Sequence, residues 1–186
     1  MQSSIAQLTE RLAASYAELG GINHLDGKNL PSKRAIAPIT MNLLRLLFPG
    51  FFDEKPVHSS RIKEETSALV EAVLVSLEAE IRKSLEYHPP TDLPAKETRP
   101  LAHALTLQFL NGLPRVRELL QTDTEAAYNG DPAALSKEEV IVAYPFIEAI
   151  AVQRLAHQLY RQGVPLIPRI MTEWAHANTG MDLHPG

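Results

Sequence analysis

Cysteine is absent from all 186 residues, so the chain can hold neither a disulfide framework nor a thiolate metal site. Basic residues are not in excess: 18 Lys and Arg face 22 Asp and Glu, a formal net charge of −4. Nucleic acids and anionic membrane surfaces want a concentrated basic face, so neither is expected as a partner. No apolar run reaches the roughly 18 residues that a membrane-spanning helix needs. Met1-Gln2-Ser3-Ser4 leads into an amphipathic segment rather than an apolar one, so no secretory signal is expected and a cytoplasmic location fits. Internal repeats, low-complexity tracts, Gly-rich phosphate loops and the Gly-x-Ser-x-Gly nucleophile motif are all missing. Aromatic residues are sparse at 6%, and the single tryptophan, Trp174, is most simply a core residue.

What is present is helical periodicity, in a chain long enough to bury a sizeable core. Ile5, Leu8, Leu12, Tyr16 and Leu19 form one stripe, with Ser4 as the expected cap and Gly20-Gly21 as the stop. Ser32 opens a second helix to Phe48, where Pro38 must kink it or mark its true beginning. Ser60 is expected to cap a third, carrying Ile62, Leu69, Val73, Leu77 and Ile81 as far as about Tyr87. The apolar faces over 32–48 and 60–87 are broad enough to suggest contact with another subunit. Residues 88–94 hold three prolines and read as a seam between helical regions. Helices then start near Pro100, Pro114, Ser136 (with Glu139 in a capping box), Phe146 and Pro168. Gly180 ends the last of them, and Met181 to Gly186 alternate apolar and polar residues with a strand-like period. The expected fold class is all-α, a bundle of about seven or eight helices.

Few residues suggest chemistry on type and spacing alone. Asp131, in Asn129-Gly130-Asp131-Pro132, reads as a helix N-cap followed by proline at N1. Glu173 and His176 share a helical face, but without a third ligand a metal is not expected. His157 lies on a polar face between Arg154 and Arg161 and reads as a surface or interface histidine.

Two blocks of residues carry a resemblance. The first is Tyr144-Pro145, Ala149-Ile150, Arg154-Leu155-Ala156-His157, Leu159-Tyr160, Gly163 and Thr179 through Gly186. The second is Leu30-Pro31-Ser32-Lys33-Arg34 with Leu46-Leu47-Phe48-Pro49-Gly50. Together they are similar to the serine O-acetyltransferases, in their helix-rich bacterial branch. The resemblance implies three parts: an oligomerising helical region over 1–90, a second helical region over 91–180 beside the active site, and at 181–186 the start of a left-handed hexapeptide β-helix. The rest of that β-helix, with its acetyl-CoA site, lies outside this chain.

The implied reaction is acetyl transfer from acetyl-CoA to the hydroxyl of L-serine, towards cysteine. Asp131 would help hold the substrate amine, and Asp182 would support a catalytic histidine one β-helix turn beyond Gly186. His184 would pack at the first corner. The coenzyme would be bound by none of the residues present, so this portion is expected to be inactive alone. Homo-oligomers and a sulfhydrylase partner are further implications. Two other readings stay open: a non-catalytic helical oligomerisation module, and an unrelated helical ligand-binding domain.

Overall fold

Eight α-helices and two 3-10 turns make up the secondary structure of the computed structural model, which describes residues 2–90 and 97–186. The helices are α1 (Gln2–Glu18), α2 (Lys33–Leu47), α3 (Ile62–Tyr87), α4 (Thr98–Asn111), α5 (Leu113–Gly130), α6 (Lys137–Ala143), α7 (Pro145–Arg161) and α8 (Ile167–Thr179). No strand occurs among the described residues, so 181–186 run without a ladder. Of the proline-rich seam expected at 88–94, only 88–90 fall within the described residues.

Local chemistry explains most boundaries. The Ser32 hydroxyl accepts the Ala35 N–H at 3.0 Å, and α2 runs from Lys33 straight through Pro38, which therefore does not mark the start. Ser136 caps α6 in the same way, accepting from the Glu139 N–H at 3.1 Å, while the Glu139 carboxylate reaches back to the Leu135 N–H at 2.7 Å. Tyr144-Pro145 then splits α6 from α7, with proline at the position where its missing N–H costs nothing. Gly180 takes the left-handed conformation, φ 73°, that closes α8. Two expected caps are overturned. Ser4 lies inside α1, because the helix already begins at Gln2. Ser60 sits in a 3-10 turn, Ser59–Arg61, that leads into α3 without any side-chain cap.

α7 and α8 pack along each other, and α2 lies against α3, α7 and α8. α4 flanks α3, while α5 rests on α6 and α7. One hydrophobic cluster takes Ile36, Leu43 and Leu44 from α2, Leu77 and Ile81 from α3, Phe109, Leu120, Leu155, Leu159 and Ile167. Trp174 packs against its edge, half-buried. Polar ties fix the arrangement: Glu80 accepts the Ser32 N–H at 3.0 Å, Arg154 grips Asp123 through two 2.9 Å bonds, and the Ser84 hydroxyl donates to the Pro165 carbonyl. At Gly112, between α4 and α5, a Cβ would stand 2.6 Å from the Gln158 amide oxygen of α7, so a larger residue there would push the Gln158 side chain aside.

The apolar width of α2 and α3 is largely spent inside the chain. Ile36, Ile39, Leu43, Leu44, Val73, Leu77 and Ile81 are all buried. The continuous exposed stripe belongs instead to α1.

Candidate functional site

Asp131 stands where α5 ends, not where a helix begins. It is the C-cap of α5, and the next helix waits for Ser136 to cap it at Lys137. The N-cap expectation is therefore overturned, because Pro132 and Ala133 form a turn and Ser136 with Glu139 holds the stronger start signal. The carboxylate does two jobs in that turn. One oxygen accepts the Ala133 N–H at 2.9 Å, an Asx turn, and the other accepts the Tyr144 hydroxyl at 2.6 Å. Tyr144 is the residue between α6 and α7, so the bond ties the end of α5 to the start of α7.

Both bonds favour the ionised carboxylate. The Tyr144 hydroxyl first, and the Ala133 N–H second, hold Asp131 below the usual aspartate range. In return that hydrogen bond to Asp131, with some burial, pushes the Tyr144 phenol up to about 12. A carboxylate has about four lone-pair sites, and these two bonds leave room for a cation such as an ammonium. Tyr144 is the residue missed on type and spacing. It is thirteen positions from Asp131, and only the length of α6 brings it round.

One turn into α7, Glu148 is half-buried with no hydrogen bond or ion pair to its carboxylate among the described residues, and burial pushes its pKa up.

The tail after α8 is strapped along α7. The Thr179 hydroxyl accepts the Met181 N–H at 3.2 Å as the chain leaves Gly180. Gln153 then donates to the His184 carbonyl at 3.3 Å, and His157 Nδ1 donates to the Pro185 carbonyl at 2.8 Å. Tyr160 meets the His184 ring edge-on at 6.4 Å, and Pro185 is buried. Gln153, His157 and Tyr160 fall at helical spacing on one side of α7, which is why one helix can hold two successive residues of the tail, His184 and Pro185. His157 thus straps the tail within the chain, while His184 stays exposed apart from its edge contact with Tyr160. Asp182 is exposed, with no partner among the described residues. Glu173 is taken by Arg169 at 2.6 Å, and no cluster of three possible metal ligands exists among the described residues.

Asp131 and Asp182 do not meet within one chain. Asp131 is tied to Tyr144, whereas the tail of Asp182 lies on the Gln153 side, about two and a half helical turns further along and so round the opposite face. A cleft of about 680 Å³ between the end of α2 and helices α5 and α6 is lined by neither.

The fold is of an all-helical class in which a carboxylate turn and a strapped C-terminal tail are both mounted on α7. Known proteins place that class. No protein-family model matches the sequence. The chain is 37% identical over 161 residues to the plasmid serine acetyltransferase of Synechococcus elongatus, covering 84% of this chain and 50% of that protein. A serine acetyltransferase of Mycobacterium tuberculosis is 42% identical over 67 residues, 36% of this chain and 29% of that one. Among solved structures, serine acetyltransferase isoform 3 of Entamoeba histolytica in complex with cysteine superposes with a TM-score of 0.64 at 28% identity, covering 100% of this chain and 60% of that one. Serine acetyltransferase 1 of the same organism in complex with L-cysteine gives 0.64 at 29%, covering 79% and 49%. The chain spans half the length, or less, of the curated relatives it matches. These likenesses relate it to the serine acetyltransferases, through their helical N-terminal region.

Proposed function

We propose that this chain is the helical portion of a serine O-acetyltransferase, which moves the acetyl group of acetyl-CoA onto the hydroxyl of L-serine. The products are O-acetyl-L-serine and CoA, on the route to cysteine, and the place of action is the cytoplasm. The observation that carries the reading is the 37% identity sustained over 161 residues, joined to the helical superposition on the Entamoeba enzymes.

Residues 1–90 supply association, 91–180 the serine carboxylate, and 181–186 the approach to a β-helix. Asp131 takes the serine ammonium in a charge-assisted bond, in an orientation that Tyr144 and Ala133 set. Asp182 orients a histidine base beyond Gly186 and stabilises its charged form as it accepts the hydroxyl proton. The serine oxygen attacks the thioester carbonyl, the C–S bond breaks, and the proton leaves with the CoA thiol, so no acyl-enzyme forms. Because Asp131 and Asp182 are apart within one chain, a complete site takes one from each of two subunits. Acetyl-CoA is held by the β-helix, and a sulfhydrylase engages the far C-terminal end.

The test is serine-dependent release of CoA thiol by the complete gene product. Release that needs L-serine supports the reading, and none under saturating acetyl-CoA overturns it. The non-catalytic oligomerisation module is the second reading, favoured by the exposed apolar stripe of α1. It predicts association without thiol release.

A further inference from the structure

The corner where α2 ends opens onto the cleft of about 680 Å³ that α5 and α6 wall on the other side. That volume lies within the range of cavities that enclose small organic molecules. Its floor is hydrocarbon. Leu47, Phe48 and Leu120 are buried there, Ile141 is half-buried beside them, and Phe51 stands 37% exposed on the rim. Thr124 lines the cleft as well, but its hydroxyl is already spent on the Leu120 carbonyl at 2.8 Å. An occupant must therefore bring an apolar body.

The charges around that floor leave one cation over. Glu118 is taken by Arg115 at 2.6 Å, and Glu125 by Lys137 at 3.1 Å. Arg117 lines the same cleft and has no carboxylate partner among the described residues. Arg45, Arg61, Arg154 and Arg169, which border other clefts, each have one. The Nη1 of Arg117 donates to the Leu46 and Leu47 carbonyls at the end of α2, where the helix dipole also favours a cation. These bonds hold the guanidinium in place and leave its Nε–Nη2 edge unused. Arg154 grips Asp123 with that same edge, in two bonds of 2.9 Å, which is the planar geometry a carboxylate takes. The cleft thus joins an apolar floor to a fixed fork for one carboxylate.

We propose that this cleft is a binding site for a small amphipathic acid. Its carboxylate pairs with Arg117, and its hydrocarbon body lies on Leu47, Phe48 and Leu120. An occupant braces the end of α2 against α5, so binding stabilises the folded chain. Neither Asp131 nor Asp182 takes part, and the inference does not depend on the catalytic reading.

Octanoate is the probe, and octanol, with the same chain length and no charge, its comparison, each titrated into the complete gene product by calorimetry. Octanoate binds roughly ten-fold more tightly than octanol and raises Tm. Arg117→Gln removes that advantage and leaves octanol binding as it was. Because Arg117 also supports the end of α2, a second variant acts without it. Gln121→Trp, at an exposed position on the α5 wall, fills the cleft and abolishes binding of both probes. Gln121 does not line the neighbouring cleft that Arg117 also borders, so octanoate binding that survives Gln121→Trp overturns the placement. Equal affinity for the two probes overturns the pairing with Arg117. No octanoate binding by the folded protein overturns the proposal. Self-association that Gln121→Trp abolishes, with no octanoate bound, gives the cleft to a second copy of the chain instead and overturns it too.

Discussion

Asp131 and Tyr144 are coupled, and their titrations move in opposite directions. The folded aspartate titrates below its unfolded value, so its contribution is present above about pH 4 and is lost as pH falls through the lowered value. The phenol is raised from 10.0 to about 12, so its contribution is complete below pH 10 and is lost as pH climbs towards 12. Ultraviolet titration should show one late phenol that disappears in Tyr144→Phe. Asp131→Asn keeps an acceptor in the turn but removes the charge, and the proposed function predicts its effect in the complete gene product. It should leave the fold intact while lowering kcat/KM for serine roughly ten- to a hundred-fold, with KM for acetyl-CoA unchanged. A fall in Tm with unaltered serine kinetics would reduce Asp131 to a turn residue. Glu148 offers a third check: its pKa is raised by burial, so ionisation weighs against the fold as pH rises past its unfolded value of about 4.5. Glu148→Gln should therefore raise Tm at neutral pH, and the difference should vanish in acid. Residue type alone makes Asp131 a helix cap, its substrate role comes only with the family resemblance, and its turn geometry can be read from neither. The choice between N-cap and Asx turn was decided five residues away, by Ser136.

The helices divide into those that share the core and one that does not. Leu155 is fully buried in α7, and Leu155→Ala should cost about 2–5 kcal/mol in chemical denaturation. Leu12→Ala, in α1, should leave the bundle's stability within about 0.5 kcal/mol at concentrations where the chain is monomeric. Equal losses at the two positions would mean that α1 packs where it stands exposed. Periodicity alone makes Leu12 and Leu155 look alike, since both lie on apolar stripes at helical spacing. Which stripe turns inward depends on contacts between helices far apart in the chain, and no local pattern encodes them. Caps are legible where a hydroxyl can reach a free N–H, as at Ser32 and Ser136. Ser60 misleads because a 3-10 turn satisfies the start of α3 by other means.

At the level of the whole molecule, α-helical class follows from composition and period, and the bundle bears that out. No single helix among the described residues is long and apolar enough to cross a membrane. The proposed function puts both the base and the coenzyme site in the β-helix, and so predicts that residues 1–186 alone release no CoA thiol and bind no acetyl-CoA. Calorimetry showing saturable coenzyme binding would move that site into the helical portion. The strap on α7 has a mechanical consequence as well. Two hydrogen bonds and a ring contact within residues 184–186 leave the chain little freedom to swivel at its last described residue. A fluorescent group attached after Gly186 by a short link should thus report the slow rotational diffusion of the entire body. Replacing His157 by alanine should release it, and the anisotropy decay should gain a fast component.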